Sequence, residues 1–317
     1  MLNRRQFCSI MGSSAASLAL ARTIRPVWAQ EKPAFAPGAF VDVHVHIGTI
    51  PVNKTDPLTA EDLLRWMDGY DISQAWVLPL VSPEAYPNPV STEYVLNATK
   101  AHRDRLIPFC VIDPRNSWYG QGKALTDQVR RYVDQGAKGF GEFKVGLPIA
   151  DPKNLELYRV CGEVGIPALI HIDSLRNTDE PSLPGLERVL TEFPDTIVIG
   201  HGPGTWATIS GDCTRAEMGT YPKRPVAPGG ALDRLMAAHK NFYLDFSGGS
   251  GANAIARDPK FGREFLIRNK NQVMFGTDYL TMGQPIRQQE VLRGLDLPEE
   301  VQAAVFRENA RRMLGMI

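Results

Sequence analysis

His44 and His46 stand two residues apart in Phe40-Val41-Asp42-Val43-His44-Val45-His46-Ile47-Gly48, an alternating run that predicts a β-strand. Successive strand side chains point to opposite faces, so the two imidazoles project together while Val43, Val45 and Ile47 pack on the other side. Two neutral imidazoles held side by side can take one divalent cation such as zinc, provided distant parts of the chain deliver further ligands. The plain alternative is polar decoration of an exposed strand. Other apolar runs carry groups of the same chemistry at their ends: Glu142 and Lys144 in residues 138–145, His171 in 167–173, His201 in 196–201 and Asp278 in 273–278. Four of the six histidines therefore sit at strand ends, as binding a metal ion and activating a water requires. His102 and His239 fall near helix ends, where solvation or compensation of the helix dipole accounts for them.

The elements that must gather these groups read as a regular alternation. Apolar runs at residues 40–48, 74–80, 106–112, 138–145, 167–173, 196–201, 241–246 and 273–278 predict eight strands with helices between them. Thr59 ahead of Glu61 and Asp62 marks one helix start; Asp151-Pro152 and Gly165 bracket another as N-cap, first-turn proline and terminator. Eight such units over ~250 residues predict an α/β fold of the (β/α)8 TIM-barrel type, whose chemistry collects at the carboxyl ends of the strands. A doubly wound open sheet is disfavoured, because Gly48-Thr49-Ile50-Pro51 after the first strand lacks the glycine pattern of a dinucleotide site. Residues 202–230 form a Gly- and Pro-rich excursion longer than usual loops, a predicted substrate wall with Trp206, Arg215, Tyr221, Lys223 and Arg224 for contacts. Residues 247–251 read as a flexible rim loop.

Composition, 43% hydrophobic and 22% charged in 317 residues, suits one large globular domain or two small ones. Residues 1–29 hold no acid and no lysine; Arg4-Arg5 precede an apolar, small-residue stretch at 7–21, and Val27-Trp28-Ala29 offers a cleavage site. The predicted organisation is a twin-arginine signal peptide at 1–29, a linker at 30–39 and the barrel at 40–317, in an exported, periplasmic protein. The apolar stretch is too short to span a bilayer comfortably, so no integral membrane span is expected in the mature form. Losing four arginines from a chain of 35 basic and 35 acidic residues leaves 31 against 35, a net charge of −4. That balance argues against nucleic acid as a partner; a small-molecule substrate is expected, and a homo-oligomer is left open. Cys8 departs with the signal, Cys110 and Cys161 read as buried core thiols and Cys213 as a loop thiol, so no disulfide framework is expected.

Taken together, Val41-Asp42-Val43-His44-Val45-His46, Gly165-Ile166-Pro167 leading into Ile170-His171, Gly200-His201-Gly202, Phe275-Gly276-Thr277-Asp278 and the closing run at 306–314 resemble the amidohydrolase superfamily. Within it they are most similar to the amidohydrolase-related (amidohydrolase 2) branch, which contains hydrolases and metal-dependent decarboxylases. The resemblance covers residues 40–314 and implies a distorted barrel holding zinc, or in some members manganese. It makes His44, His46 and His171 metal ligands, with Asp278 binding the metal, orienting the attacking water or acting as base. His201 would polarise the substrate carbonyl or move a proton, with metal ligation as its other option. One ion is favoured, with Glu142 a candidate ligand for a second. Glu142 and Lys144 share a strand face and can also form an ion pair, or Lys144 can bind a substrate carboxylate. Arg115, beyond the third strand, is a candidate anion holder with a surface role as its alternative.

The first functional expectation is a metal-dependent hydrolase directing an activated water at the carbonyl of a lactone, ester or amide. The second is a metal-dependent decarboxylase or hydratase acting on an aromatic or unsaturated acid. An exported barrel that only binds a ligand would lack an acid or a histidine at the rim, and none is missing. Replacing both Arg4 and Arg5 by lysine is expected to retain the protein in the cytoplasmic fraction of expressing cells; an unchanged location would count against the twin-arginine route.

Overall fold

A computed structural model describes residues 35–36, 38–116 and 122–316, so the signal peptide read at 1–29 and most of the linker read at 30–39 lie outside the described residues. The described residues fall in one compact unit, Phe35–Ile317. Its eight strands are β1 (Phe40–Val45), β2 (Ile72–Val77), β3 (Leu106–Pro108), β4 (Phe140–Phe143), β5 (Ala168–His171), β6 (Val198–His201), β7 (Phe242–Phe246) and β8 (Val273–Phe275). Every neighbouring pair is parallel: β1-β2-β3 form one ladder and β4-β5-β6-β7-β8 another. Single parallel bridges, Cys110 to Phe140 and Val45 to Tyr279, join the two ladders and close the barrel. The expected (β/α)8 architecture is thus present, with two thin seams. β3 is shorter than the expected run at 106–112, because the chain beyond Pro108 leaves the β2 ladder and keeps only the Cys110 bridge.

The barrel interior is filled by Val41, Val43, Trp76, Leu78, Ile107, Phe109, Leu169, Ile199 and Met274, while Phe40, Val45 and Ile47 pack in the layer between strands and helices. Val43 therefore does not share a face with Val45 and Ile47, as strict alternation predicts. The reason is a bulge: Asp42 pairs with Ala75 and Val45 with Val77, so three steps along β1 face two along β2. An extra residue switches the facing of everything after it. Val41 and Val43 fill the lumen below the bulge, and His44 and His46 are turned into its mouth above it.

Local signals build the helices as expected. Thr59 caps the helix Ala60–Gly69 in a capping box with Asp62, and Asp151, Pro152 and left-handed Gly165 bound the helix Pro152–Val164. The rim loop expected at 247–251 is instead the start of a helix, Gly248–Ala256. Alternating small side chains let this glycine-rich segment pack tightly: a Cβ at Gly251 would stand 3.1 Å from the Phe246 backbone. The last helical stretch, Glu299–Ala303 and Asn309–Met313 around a π-turn at Ala304–Glu308, covers the amino end of the barrel. There Phe306 stacks on Phe40 at 4.7 Å between ring centroids, with Phe35 edge-on to both. No helix among the described residues is long and apolar enough to cross a membrane.

The seam between β1 and β8 carries few ladder bonds, and Asp42 reinforces it. One carboxylate oxygen accepts the backbone N–H of His44 and of Thr277, both at 3.0 Å, and the other accepts the Thr277 hydroxyl at 2.6 Å. Burial pushes this carboxyl up to about 7 against those same hydrogen bonds. Cutting Asp42 to alanine strands two buried N–H groups, each worth about 1–3 kcal/mol, so a loss of roughly 2–4 kcal/mol is expected. In thermal unfolding that corresponds to a Tm lower by about 5–10 °C. An Asp42→Ala chain melting with the wild type would show that the seam does not depend on it.

Candidate metal centre

The bulged end of β1 presents two ring nitrogens to one point. His46 Nδ1 donates to the Leu78 carbonyl at 2.8 Å, and a carbonyl can only accept, so His46 Nε2 is the free nitrogen of the neutral ring. His44 Nδ1 lies 2.6 Å from Asp245 Oδ2, which likewise turns its Nε2 inward. The two Nε2 atoms face one another at 3.0 Å. Glu142 Oε2, at the end of β4, lies 3.6 and 3.4 Å from them, and Asp278 Oδ1, beyond β8, lies 3.6 and 3.4 Å from them. Glu142 Oε2 is buried and has no hydrogen-bond partner.

An orphaned carboxylate oxygen and two inward lone pairs call for a shared cation. A tetrahedral ion with ~2.0–2.1 Å bonds needs donors about 3.3 Å apart, and the imidazole–imidazole and imidazole–carboxylate distances here run from 3.0 to 3.6 Å. The donor set of two imidazoles and two carboxylates suits zinc and also manganese. His44, His46, Glu142 and Asp278 thus fit a divalent ion. Burial disfavours charge on both imidazoles, yet Asp245 and Asp278 raise His44 well above the usual range, and Asp278 and Glu142 raise His46. The acids move the other way: burial opposes ionisation of Glu142, but Lys144 and then His171 hold it well below the usual range, and His44 and His46 lower Asp278 against its own burial. Asp278 adopts φ +58°, a left-handed backbone that few side chains accept, which turns its carboxylate from the strand end toward the histidines.

His171 stands just outside that ring of donors. Its Nδ1 meets Glu142 Oε1 at 2.7 Å and its Nε2 meets Asp173 Oδ2 at 2.8 Å, so both nitrogens are engaged by carboxylates. Lys144 Nζ lies 3.5 Å from the same Glu142 oxygen and 5.0 Å from the centroid of Tyr86. Glu142 is therefore held from behind by His171 and Lys144 while its second oxygen faces the β1 histidines. His201 Nε2 lies 3.6 Å from Glu142 Oε1, and its Nδ1 lies 2.9 Å from Ser247 Oγ and 3.1 Å from Asp245 Oδ2. Burial, then the neighbouring His44, lowers the His201 pKa, so this ring stays neutral.

Above the ring opens a cleft of about 660 Å³, walled by Tyr86, Lys144, Arg176, Tyr221 and the exposed edge of Asp278. Burial, then Asp278 and Glu142, pushes the Tyr86 hydroxyl up to about 12, so it remains a proton donor. A second hollow of about 470 Å³ lies at the amino end, around Arg103, Lys138 and Leu314. It gathers no imidazole and a single carboxylate, Asp134, so it offers no comparable chemistry.

Two expected substrate contacts are absent from the cleft. Arg115 is held by Glu84 at 2.6 and 2.8 Å and by Asp113 at 2.9 and 2.6 Å, so two carboxylates use up its charge in a rim brace. Trp206 is buried against Phe246 and Phe265 and donates its indole N–H to the Asp245 carbonyl at 2.9 Å. From the same excursion, Arg224 pairs with Asp212 and Glu217, and Arg215 with Glu180; of the five side chains expected to give contacts, Tyr221 lines the cleft, beside Pro203 and Gly219. Conversely, Tyr86, Asp245, Asp173 and Arg176 belong to the site and escaped sequence reasoning. Asp245 ends an apolar run at the same level as His201, and Asp173 repeats the two-residue spacing of the β1 histidines. Arg176, paired with Asp173 at 2.8 Å, has no sequence signal.

A family model described as amidohydrolase matches residues 87–316. Solved structures share the fold. A protein assigned as a 2-pyrone-4,6-dicarboxylic acid hydrolase from Pseudomonas putida superposes with a TM-score of 0.61 at 15% identity, over 87% of this chain and 97% of that one. A dihydroxybenzoic acid decarboxylase from a Polaromonas species, with bound manganese and an inhibitor, gives 0.54 at 14%, over 87% and 97%. An uncharacterised TIM-barrel protein from Bordetella bronchiseptica gives 0.59 at 18%, over 81% and 83%. No curated protein matches significantly.

The matched family segment begins after β2, so it does not include the β1 histidines, which stand on their spacing and on the geometry of the site. Zinc affinity of the full chain, measured by chelator competition, is expected to fall by roughly 100-fold or more in His44→Ala and in Glu142→Gln, beyond what outer-shell changes give. Arg115→Ala is expected to bind zinc as the wild type does. Equal affinity in all four proteins would remove the metal centre.

Proposed function

The chain belongs to the amidohydrolase family, and on that premise we propose that it is a metal-dependent hydrolase acting on a carbonyl substrate that carries a negative charge. The observation that carries this reading is the partnerless, buried Glu142 Oε2 facing the two inward Nε2 atoms of His44 and His46. A divalent ion bound by these groups, zinc or manganese, supplies Lewis-acid polarisation of a carbonyl and a water acidic enough to react near neutral pH. The remaining chemistry belongs to side chains already in place.

Asp278 has one oxygen toward the histidines and the other toward Gly248 at the cleft floor, where it can take a proton from an attacking water. His201 is neutral, with its Nε2 on the inner wall, and can steady a developing oxyanion or return a proton to the leaving group. Lys144 is the cleft cation best placed for a substrate carboxylate. Among the described residues its one acidic contact, to Glu142, is 3.5 Å long, and Tyr86 lies along its flank. Arg176 is already neutralised by Asp173.

A second reading, non-oxidative decarboxylation or hydration of an aromatic or unsaturated acid, draws support from the same corner. Lys144 beside Tyr86, with Tyr221 opposite, makes a cationic clamp with aromatic walls suited to a flat acid. In both readings the polar mouth of the barrel serves a small organic anion in the compartment reached by the proposed twin-arginine export.

Metal-loaded protein offered carboxylate-bearing lactones and esters, and hydroxybenzoates, is expected to turn over one class, with ring-opened acid or carbon dioxide as the distinguishing product. Asp278→Asn is expected to lower kcat by about 10²–10⁴-fold, the usual worth of a general acid or base. Lys144→Met should raise KM for charged substrates more than for their neutral esters. Full turnover by a chelator-stripped preparation would falsify the metal-dependent reading.

A further inference from the structure

Asp245 closes β7 on the inner wall and is fully buried. Its Oδ2 alone meets His44 Nδ1 at 2.6 Å, the Ser247 hydroxyl at 2.8 Å and His201 Nδ1 at 3.1 Å. Its Oδ1 has no partner and occupies space that only a glycine leaves: a Cβ on Gly276 would stand 2.5 Å away. The carboxylate is thus wedged in place by packing and joined to the site through one atom.

Proton counting fixes who donates to whom. The Ser247 hydroxyl gives its single hydrogen to Asp245 Oδ2, so the hydrogen in the 2.9 Å contact between Ser247 Oγ and His201 must be the one on His201 Nδ1. That hydrogen is shared between Ser247 Oγ and Asp245 Oδ2. His44 Nδ1 meets the same ionised oxygen, and it too must donate. Each ring therefore carries its hydrogen on the side facing Asp245.

We propose that Asp245 is the positioning residue that sets the tautomers of His44 and His201 together, through a single carboxylate oxygen shared by both rings. The consequence for His44 is an Nε2 lone pair aimed at His46, Glu142 and Asp278. For His201 it is an Nε2 lone pair on the cleft wall, 3.6 Å from Glu142 Oε1. The ion's ligand and the proton-handling ring are thus oriented by one acid on a strand adjacent to neither β1 nor the β4 carboxylate. The inference rests on the metal reading of His44, whereas its His201 half stands independently of it.

The test uses the full chain labelled with ¹⁵N-histidine and loaded with zinc, alongside the same chain carrying Asp245→Asn. Long-range ¹⁵N–¹H correlation spectra of the wild type are expected to show His201 protonated at Nδ1 and bare at Nε2. In Asp245→Asn, zinc affinity by chelator competition is expected to drop about 10–100-fold, the usual effect of removing an outer-shell partner, and His201 should lose its single tautomer. Unchanged affinity together with unchanged His201 signals in the variant would overturn the proposal. So would a wild-type His201 protonated at Nε2, a readout that remains decisive where the variant does not fold. A wild type that binds no zinc would sink the metal reading separately, and the His201 tautomer in the metal-free chain would then decide the Asp245 assignment.

Discussion

Two imidazole lone pairs 3.0 Å apart, each within 3.6 Å of a Glu142 and an Asp278 oxygen, in the water-poor mouth of a barrel, are an electrostatic demand that the polypeptide alone does not meet. Buried charge without a partner is among the costliest arrangements a protein can hold, and the cost falls on groups that a divalent cation would satisfy at once. Around that point the other contacts fall into order. Leu78 and Asp245 fix the outer nitrogens of His46 and His44, and His171 and Lys144 fix the outer oxygen of Glu142. Three of the four donors are thus restrained from behind, which is how outer-shell partners preorganise a metal site.

That convergence depends on barrel closure at its weakest seam. β1 and β8 meet through one bridge, yet they deliver three of the four donors. The extra residue in β1 between Asp42 and Val45 is therefore structural: without it the lumen-facing series begun by Val41 and Val43 would continue to Val45 and Ile47 and carry both histidines outward. Asp42 reaches across to Thr277, and His44 carbonyl oxygen accepts from Asp278 N at 2.8 Å, so the histidine and aspartate ends are tied to each other before any ligand arrives.

The sequence exposed the parts of this arrangement that follow a period. Strand runs, their alternation with helices and the polar residues ending each run were legible, because a parallel barrel buries its strands on both faces and puts chemistry at one end. What could not be read depends on contacts between remote segments. Whether Arg115 faces substrate or is taken by Glu84 and Asp113 turns on two acids, one of them 31 residues away. Trp206 looks like a substrate wall only until the fold packs it beneath Asp245. The run at 247–251 has loop composition, yet residues from Gly248 on are helical and packed where a Cβ at Gly249 or Gly251 would stand 3.0 Å from Tyr221 or 3.1 Å from Phe246. Asp245 had the right position at a strand end, and went unread because an acid without a spaced partner carries no metal-ligand signature.

The distribution of polarity along the barrel axis separates stability from chemistry. Phe35, Phe40, Phe275 and Phe306 cluster between the β1–β8 strands and the last helical stretch, and Val41, Trp76, Phe109 and Met274 fill the lumen with apolar volume. The charged groups of the site gather at the carboxyl ends of the strands, and Asp278, just past β8 and free of its ladder, can adopt a φ of +58°. Concentrating buried charge there costs stability locally, and the apolar lower half offsets that cost without having to move when the mouth binds a ligand. Of the cations at the mouth, Arg115 and Arg176 are locked by carboxylates at hydrogen-bond distance, and Lys144 alone sits at 3.5 Å from its acid on a flexible stem. The site therefore has one adjustable positive charge beside a rigid set of donors, and an anionic group on the substrate is what completes its pairing.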